Sequence, residues 1–170
     1  GAPIDAVPFV ITQEPASQDN PQIVWNGTNW LVVFESYDVS GTGYYEKSLE
    51  AVRVSPAGLV LDAAPIKIRG VSPSGMAWAA ASDGTDWALV FQASSSSSAL
   101  VSLRITAAGV VQQPPKTIVP STYFSRYNLR LAYAAGLYLF TWSEFSDTLA
   151  LRFDSNLNVL DAAPTTLLTG

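Results

Sequence analysis

A chain of 170 residues, 48% hydrophobic and 14% charged, can bury a core and is neither disordered nor a solvent-facing helical chain. Its net charge of −5, with the basic residues scattered, argues against a nucleic-acid backbone or an anionic membrane surface as partner. It has no cysteine and no histidine, which removes disulfides, thiol chemistry, the commonest general base and the commonest transition-metal ligand, so no cofactor is expected.

The first recognisable stretch is Asp5-Ala6-Val7-Pro8, which returns as Asp62-Ala63-Ala64-Pro65 and Asp161-Ala162-Ala163-Pro164. Pro8 precedes Gly27 by 19 residues, and Pro65 precedes Gly84 by 19. Residues 1–19 are therefore expected to hold the outer strand of a preceding unit and its connection. A strand is expected at about Gln22 to Trp25 and a second at Trp30 to Ser36. Asn26-Gly27 lies between them, a pair that tolerates the positive φ of a tight hairpin. The second strand is nearly continuous in apolar character, as strands covered on both faces are. A third is expected at Leu49 to Ser55. After the turn Pro56-Ala57-Gly58, a fourth runs from Leu59 to Ile68, broken near Pro65. Proline lacks a backbone donor, so this strand is the edge.

The same series then repeats. Ser82-Asp83-Gly84-Thr85-Asp86-Trp87-Ala88-Leu89-Val90-Phe91 matches Trp25 to Phe34, and Tyr133 to Trp142 matches it again, with one residue fewer after the turn glycine. Leu103-Arg104-Ile105-Thr106-Ala107-Ala108-Gly109 and Leu151-Arg152-Phe153-Asp154 match the stretch around Arg53. In the third copy Ser155-Asn156-Leu157 replaces the glycine turn, leaving Asn156 to take the left-handed conformation.

The fold class expected is all-β: three four-stranded antiparallel repeats read as β-propeller blades, plus an extra N-terminal outer strand. The blades span 20–71, 72–122 and 123–170. Closed propellers have about four to eight blades. Either self-association completes the ring, as a dimer with six blades, or adjoining repeats outside this chain do. Closure as a trefoil or prism is the weaker alternative. The stretches Asp83 to Phe91 and Arg53 to Pro65 resemble tandem repeats, about fifty residues long, of bacterial secreted and cell-surface proteins, without the kelch or Trp-Asp signature. The resemblance implies an extracellular setting and carries no activity.

Function is expected on the loops, because insertions on one face of a repeat scaffold commonly carry recognition. From the end of the second strand to the arginine of the third is 19, 13 and 10 residues in the three copies. The longest loop offers Tyr37, Asp38, Tyr44, Tyr45 and Glu46. The connection before the third copy offers Tyr123, Phe124, Arg126 and Tyr127. Aromatic platforms beside polar groups suit a carbohydrate or another protein. The first reading is thus a non-enzymatic binding module, and the alternative is a purely structural, self-assembling segment. A propeller-based polysaccharide-degrading enzyme ranks third, because histidine is absent and acids are not clustered. Arg53, Arg104 and Arg152 read as one structural arginine per blade, and Asp62 and Asp161 as turn formers.

Overall fold

The computed structural model describes residues 5, 7–13, 15–38, 46–72, 77–94, 97–112, 114–122 and 125–169. These form three four-stranded antiparallel sheets, with no helix among the described residues. The first sheet comprises β1 (Ser17–Trp25), β2 (Trp30–Asp38), β3 (Glu46–Val54) and β4 (Ile66–Ser72), paired in that order. β5 (Trp78–Ser82), β6 (Trp87–Ser94), β7 (Ser97–Ile105) and β8 (Lys116–Val119) make the second. The third is β9 (Arg126–Ala134), β10 (Leu137–Glu144), β11 (Asp147–Asp154) and β12 (Thr165–Leu168). Each sheet is a meander, so every strand pairs with its neighbour in sequence.

The hairpin turns form where the glycines allow. Gly27, Gly84 and Gly136 all take positive φ between a first and a second strand. Asn26 shows how such a turn is sealed. It is buried, and its Oδ1 accepts the N–H groups of Thr28 and Asn29 at 3.0 and 2.8 Å. Its Nδ2 donates to the Thr85 carbonyl of the second sheet at 2.6 Å. One side chain thus closes its own turn and fastens it to the next.

Two apolar joints hold the sheets together. Leu31, Val33, Leu49, Ala51 and Ile68 pack with Trp87, Leu89, Phe91 and Leu103. On its other face the second sheet places Ala88, Val90 and Leu100 with Tyr138, Phe140, Trp142 and Phe153. The middle sheet is therefore covered on both sides, as its unbroken apolar run Ala88 to Phe91 demands.

Three expectations are corrected. The fourth strand does not run from Leu59. Val60 makes only an isolated bridge to Val54, and pairing resumes at Ile66, after Pro65. Between them the Asp62 carboxylate turns back to accept the Arg53 backbone N–H at 2.7 Å and the guanidinium at 2.6 Å. Asp62 and Asp161 are thus arginine partners rather than simple turn formers. Secondly, no strand forms before Ser17 among the described residues. Ile11 instead packs on Val32, Phe34, Val52 and Val54, the face of the first sheet turned away from the second. Thirdly, Leu157 rather than Asn156 takes the left-handed conformation, at φ 60°. Its side chain is buried in the core, and Asp154 fixes the turn by accepting the N–H groups of Asn156 and Asn158. Burial offsets a backbone strain of about 1 kcal/mol or more.

Candidate functional site

The first strands of the three sheets lie together, with β5 against both β1 and β9. A cavity of about 420 Å³ opens between them, lined by Asn20, Gln22, Ala77, Trp78, Asn128, Leu129 and Arg130. Two of these are matched. Asn20 and Asn128 both have positive φ, 54° and 55°. Each sits at a register slip, Asn20-Pro21 opposite Phe34 and Asn128-Leu129 opposite Trp142. Asparagine tolerates the left-handed region, and a bulge re-aims the side chains beside it. Trp78 adds a buried indole whose Nε1 has no hydrogen-bond partner among the described residues.

A carboxylate cluster adjoins the cavity through Asn20, whose Nδ2 donates to Glu35 at 3.4 Å. Glu35 is buried on β2. The Tyr37 hydroxyl lies 3.4 Å from a Glu35 oxygen and 3.4 Å from an Asp19 oxygen, so two carboxylates share one phenol. Lys47 completes the group. It sits across the β2–β3 pair from Tyr37, donating to its hydroxyl at 2.5 Å and reaching Glu35 at 3.5 Å. The bond to Tyr37, helped by the Glu35 charge and opposed by partial burial, holds the Lys47 amine above the ordinary lysine range.

The third sheet carries a different carboxylate pairing. Arg126 is buried and donates from Nε to Glu144 at 2.9 Å, and from Nη1 to the carbonyls of Ser98 and Pro120 at 2.7 and 2.8 Å. Trp142 Nε1 donates to the same carboxylate at 3.3 Å. Glu144 is therefore a tethered anion, and Arg126 ties the third sheet to the second.

Of the residues expected to bind, Tyr37 belongs to the carboxylate cluster. Asp38 and Glu46 face each other in the β2–β3 ladder, but their side chains lie outside the described residues. Tyr44, Tyr45, Tyr123 and Phe124 also lie outside the described residues. Arg126 is held as above, and exposed Tyr127 donates its hydroxyl to the Phe145 carbonyl. Sequence reasoning missed Asp19, Asn20 and Asn128. The one signal available was an asparagine at the same place in two of the three copies.

No family model matches the sequence, and no curated protein matches it. Solved structures do match. One is a glycosyl hydrolase from Bacteroides ovatus, at 11% identity and a TM-score of 0.56, over 91% of this chain and 52% of that one. Another Bacteroides ovatus structure, described as a putative hydrolase, matches at 12% identity and a TM-score of 0.46, over 91% and 45%. The chain thus shares a fold with the first and spans about half its length. This corrects the expectation of a non-enzymatic binding module, since the matching fold is one described as a glycosyl hydrolase. The absence of histidine does not exclude glycoside hydrolysis, which commonly runs on two carboxylates.

Proposed function

We propose that the three sheets are blades of a β-propeller that hydrolyses polysaccharide outside the cell, and that the cavity between β1, β5 and β9 is this chain's share of its central site. The observation carrying this reading is the pair of carboxylates, Asp19 and Glu35, set on one phenol at the rim of that cavity. Glycosidases place their two carboxyl groups roughly 5–9.5 Å apart. Two groups each 3.4 Å from the Tyr37 oxygen cannot exceed that span. Glu35, buried and 3.5 Å from the Lys47 amine, takes the role of base or nucleophile, and Asp19 that of proton donor. Asn20, Gln22, Asn128 and Arg130 offer donors and acceptors for sugar hydroxyls, and Trp78 an apolar wall. The fold shared with a glycosyl hydrolase supports the same reading.

The test is release of reducing ends from a panel of polysaccharides by the full chain. Activity is expected on at least one, and Glu35→Gln should lower kcat by about a hundredfold or more with the fold intact. Turnover that survives both Glu35→Gln and Asp19→Asn rules this assignment out.

A further inference from the structure

The two joints between sheets are built alike. In the first, Arg53 is clamped by Asp62 through Nε and Nη2, at 3.0 and 2.6 Å, which frees Nη1 to donate to the Ala107 carbonyl of the next sheet at 2.8 Å. In the second, Arg104 donates to the Ser155 carbonyl of the next sheet. Ala107 and Ser155 hold the same place, two residues before the positive-φ residue of their turns, Gly109 and Leu157. The first joint carries a further bond in the opposite direction, from Trp87 Nε1 back to the Val24 carbonyl at 3.0 Å.

The outer face of the third sheet holds half of such a joint. Asp161 clamps Arg152 at the same 3.0 and 2.6 Å, but Nη1 makes no bond among the described residues, and the side chain is 56% exposed against 16% for Arg53. Leu139, opposite Arg152 in the ladder, and Leu167 and Leu168 on the edge strand are open to solvent. The outer face of the first sheet holds the other half. Pro56 stands where Ala107 and Ser155 stand, two residues before Gly58, and it offers its carbonyl. Trp30 stands where Trp87 stands, 41% exposed and set at a tilt against the Trp25 ring. Among the described residues, the segment around Phe9 and Ile11 lies over this face. The Phe9 ring rests by Gly58 where the Arg53 guanidinium rests by Gly109, so it holds the place an incoming arginine would take.

We infer that a second copy of this chain docks there, the third sheet of each protomer packing on the first sheet of the other, to close a two-fold pair with two new joints of the internal kind. Arg152 Nη1 then donates to the partner's Pro56 carbonyl, displacing Phe9, and the partner's Trp30 Nε1 donates to the Ala132 carbonyl, the counterpart of Val24. Both halves of the joint belong to one chain, which is what a closed pair of identical subunits requires. Two copies also supply the length of chain found in the solved structure of like fold, of which one copy covers 52%. The inference rests on the joints and not on the hydrolytic site, so an inactive protein still tests it.

The experiment is sedimentation equilibrium on the full chain over a concentration series, with tryptophan emission read in parallel. A discrete dimer is expected, with emission moving to shorter wavelength as Trp30 leaves water. Arg152→Glu and, separately, Leu139→Glu should each weaken the pair by about tenfold or more, because both sit at the centre of the new joint. Phe9→Ala should tighten it. Both charged substitutions fall on exposed positions, so the far-ultraviolet circular dichroism should stay that of wild type. A monomer at every concentration, an assembly larger than two, or a dimer indifferent to both charged variants would overturn the inference.

Discussion

Leu31 and Leu139 hold the same position in the first and third sheets, opposite Arg53 and Arg152 in their ladders. One is 0% exposed and the other 46%. Residue type, strand and pairing are equal, so what differs is whether a neighbouring sheet follows. Burial here is a property of place in the stack, as expected where units contact only their neighbours. This natural pair allows the joint to be measured apart from the sheet. Leu31→Ala should destabilise by about 2–5 kcal/mol, because it empties a packed site. Leu139→Ala should change monomer stability by less than about 1 kcal/mol. Urea denaturation at low concentration reads both. Equal losses would mean that the internal joint contributes no more than an open face.

Gly27 and Gly84 sharpen the comparison at the turns. Both have φ of 92°. A Cβ on Gly27 would stand 2.9 Å from the Gly84 carbonyl oxygen, whereas one on Gly84 meets nothing within 4 Å. Gly84→Ala should therefore show backbone strain alone, about 1 kcal/mol. Gly27→Ala adds a backbone clash across the joint and should lose about 2–3 kcal/mol. Thermal melts of the two variants check this, and the difference between them reports the joint rather than the turn.

Local chemistry made much of this legible beforehand. Asn26-Gly27 and Asp83-Gly84 announced their turns, and the apolar runs of β2 and β6 announced strands covered on both faces. What stayed hidden depends on partners distant in sequence. The fourth strand starts at Ile66 rather than Leu59 because Asp62 turns back to Arg53, nine residues away, a competition no local propensity expresses. The bulges at Asn20 and Asn128 form opposite Phe34 and Trp142 and are invisible until the register is known. Tyr37 lies past the expected strand end at Ser36, yet β2 continues to Asp38. Only the Tyr37–Lys47 pairing in the ladder reveals the cluster with Glu35 and Asp19. Leu157 misled for a related reason, since its side chain needs the core of the second joint, and core burial there outweighs the preference of Asn156.

The smallest effect lies in that same turn and follows from charge. The turns of the first and second sheets close on glycine, but the third has none and relies on Asp154. Its carboxyl accepts the Asn158 backbone N–H at 2.9 Å, the Asn158 Nδ2 at 2.9 Å and the Asn156 N–H at 2.8 Å. These bonds, with the Asn158 backbone N–H foremost, hold its pKa below the ordinary 3.8. A carboxyl depressed in the folded state favours folding above its unfolded value and loses that contribution as pH falls through the folded one. The third-sheet turn should thus stay intact through mild acid and loosen only below pH 3.8, while the glycine turns around Gly58 and Gly109 keep their geometry. Carboxyl titration by nuclear magnetic resonance reads this directly. Asn158→Ala should move the Asp154 midpoint back toward 3.8. An unmoved midpoint would mean that the two backbone N–H donors and the charge of Lys116 suffice to hold the carboxyl, and that the Asn158 side chain adds nothing to the turn.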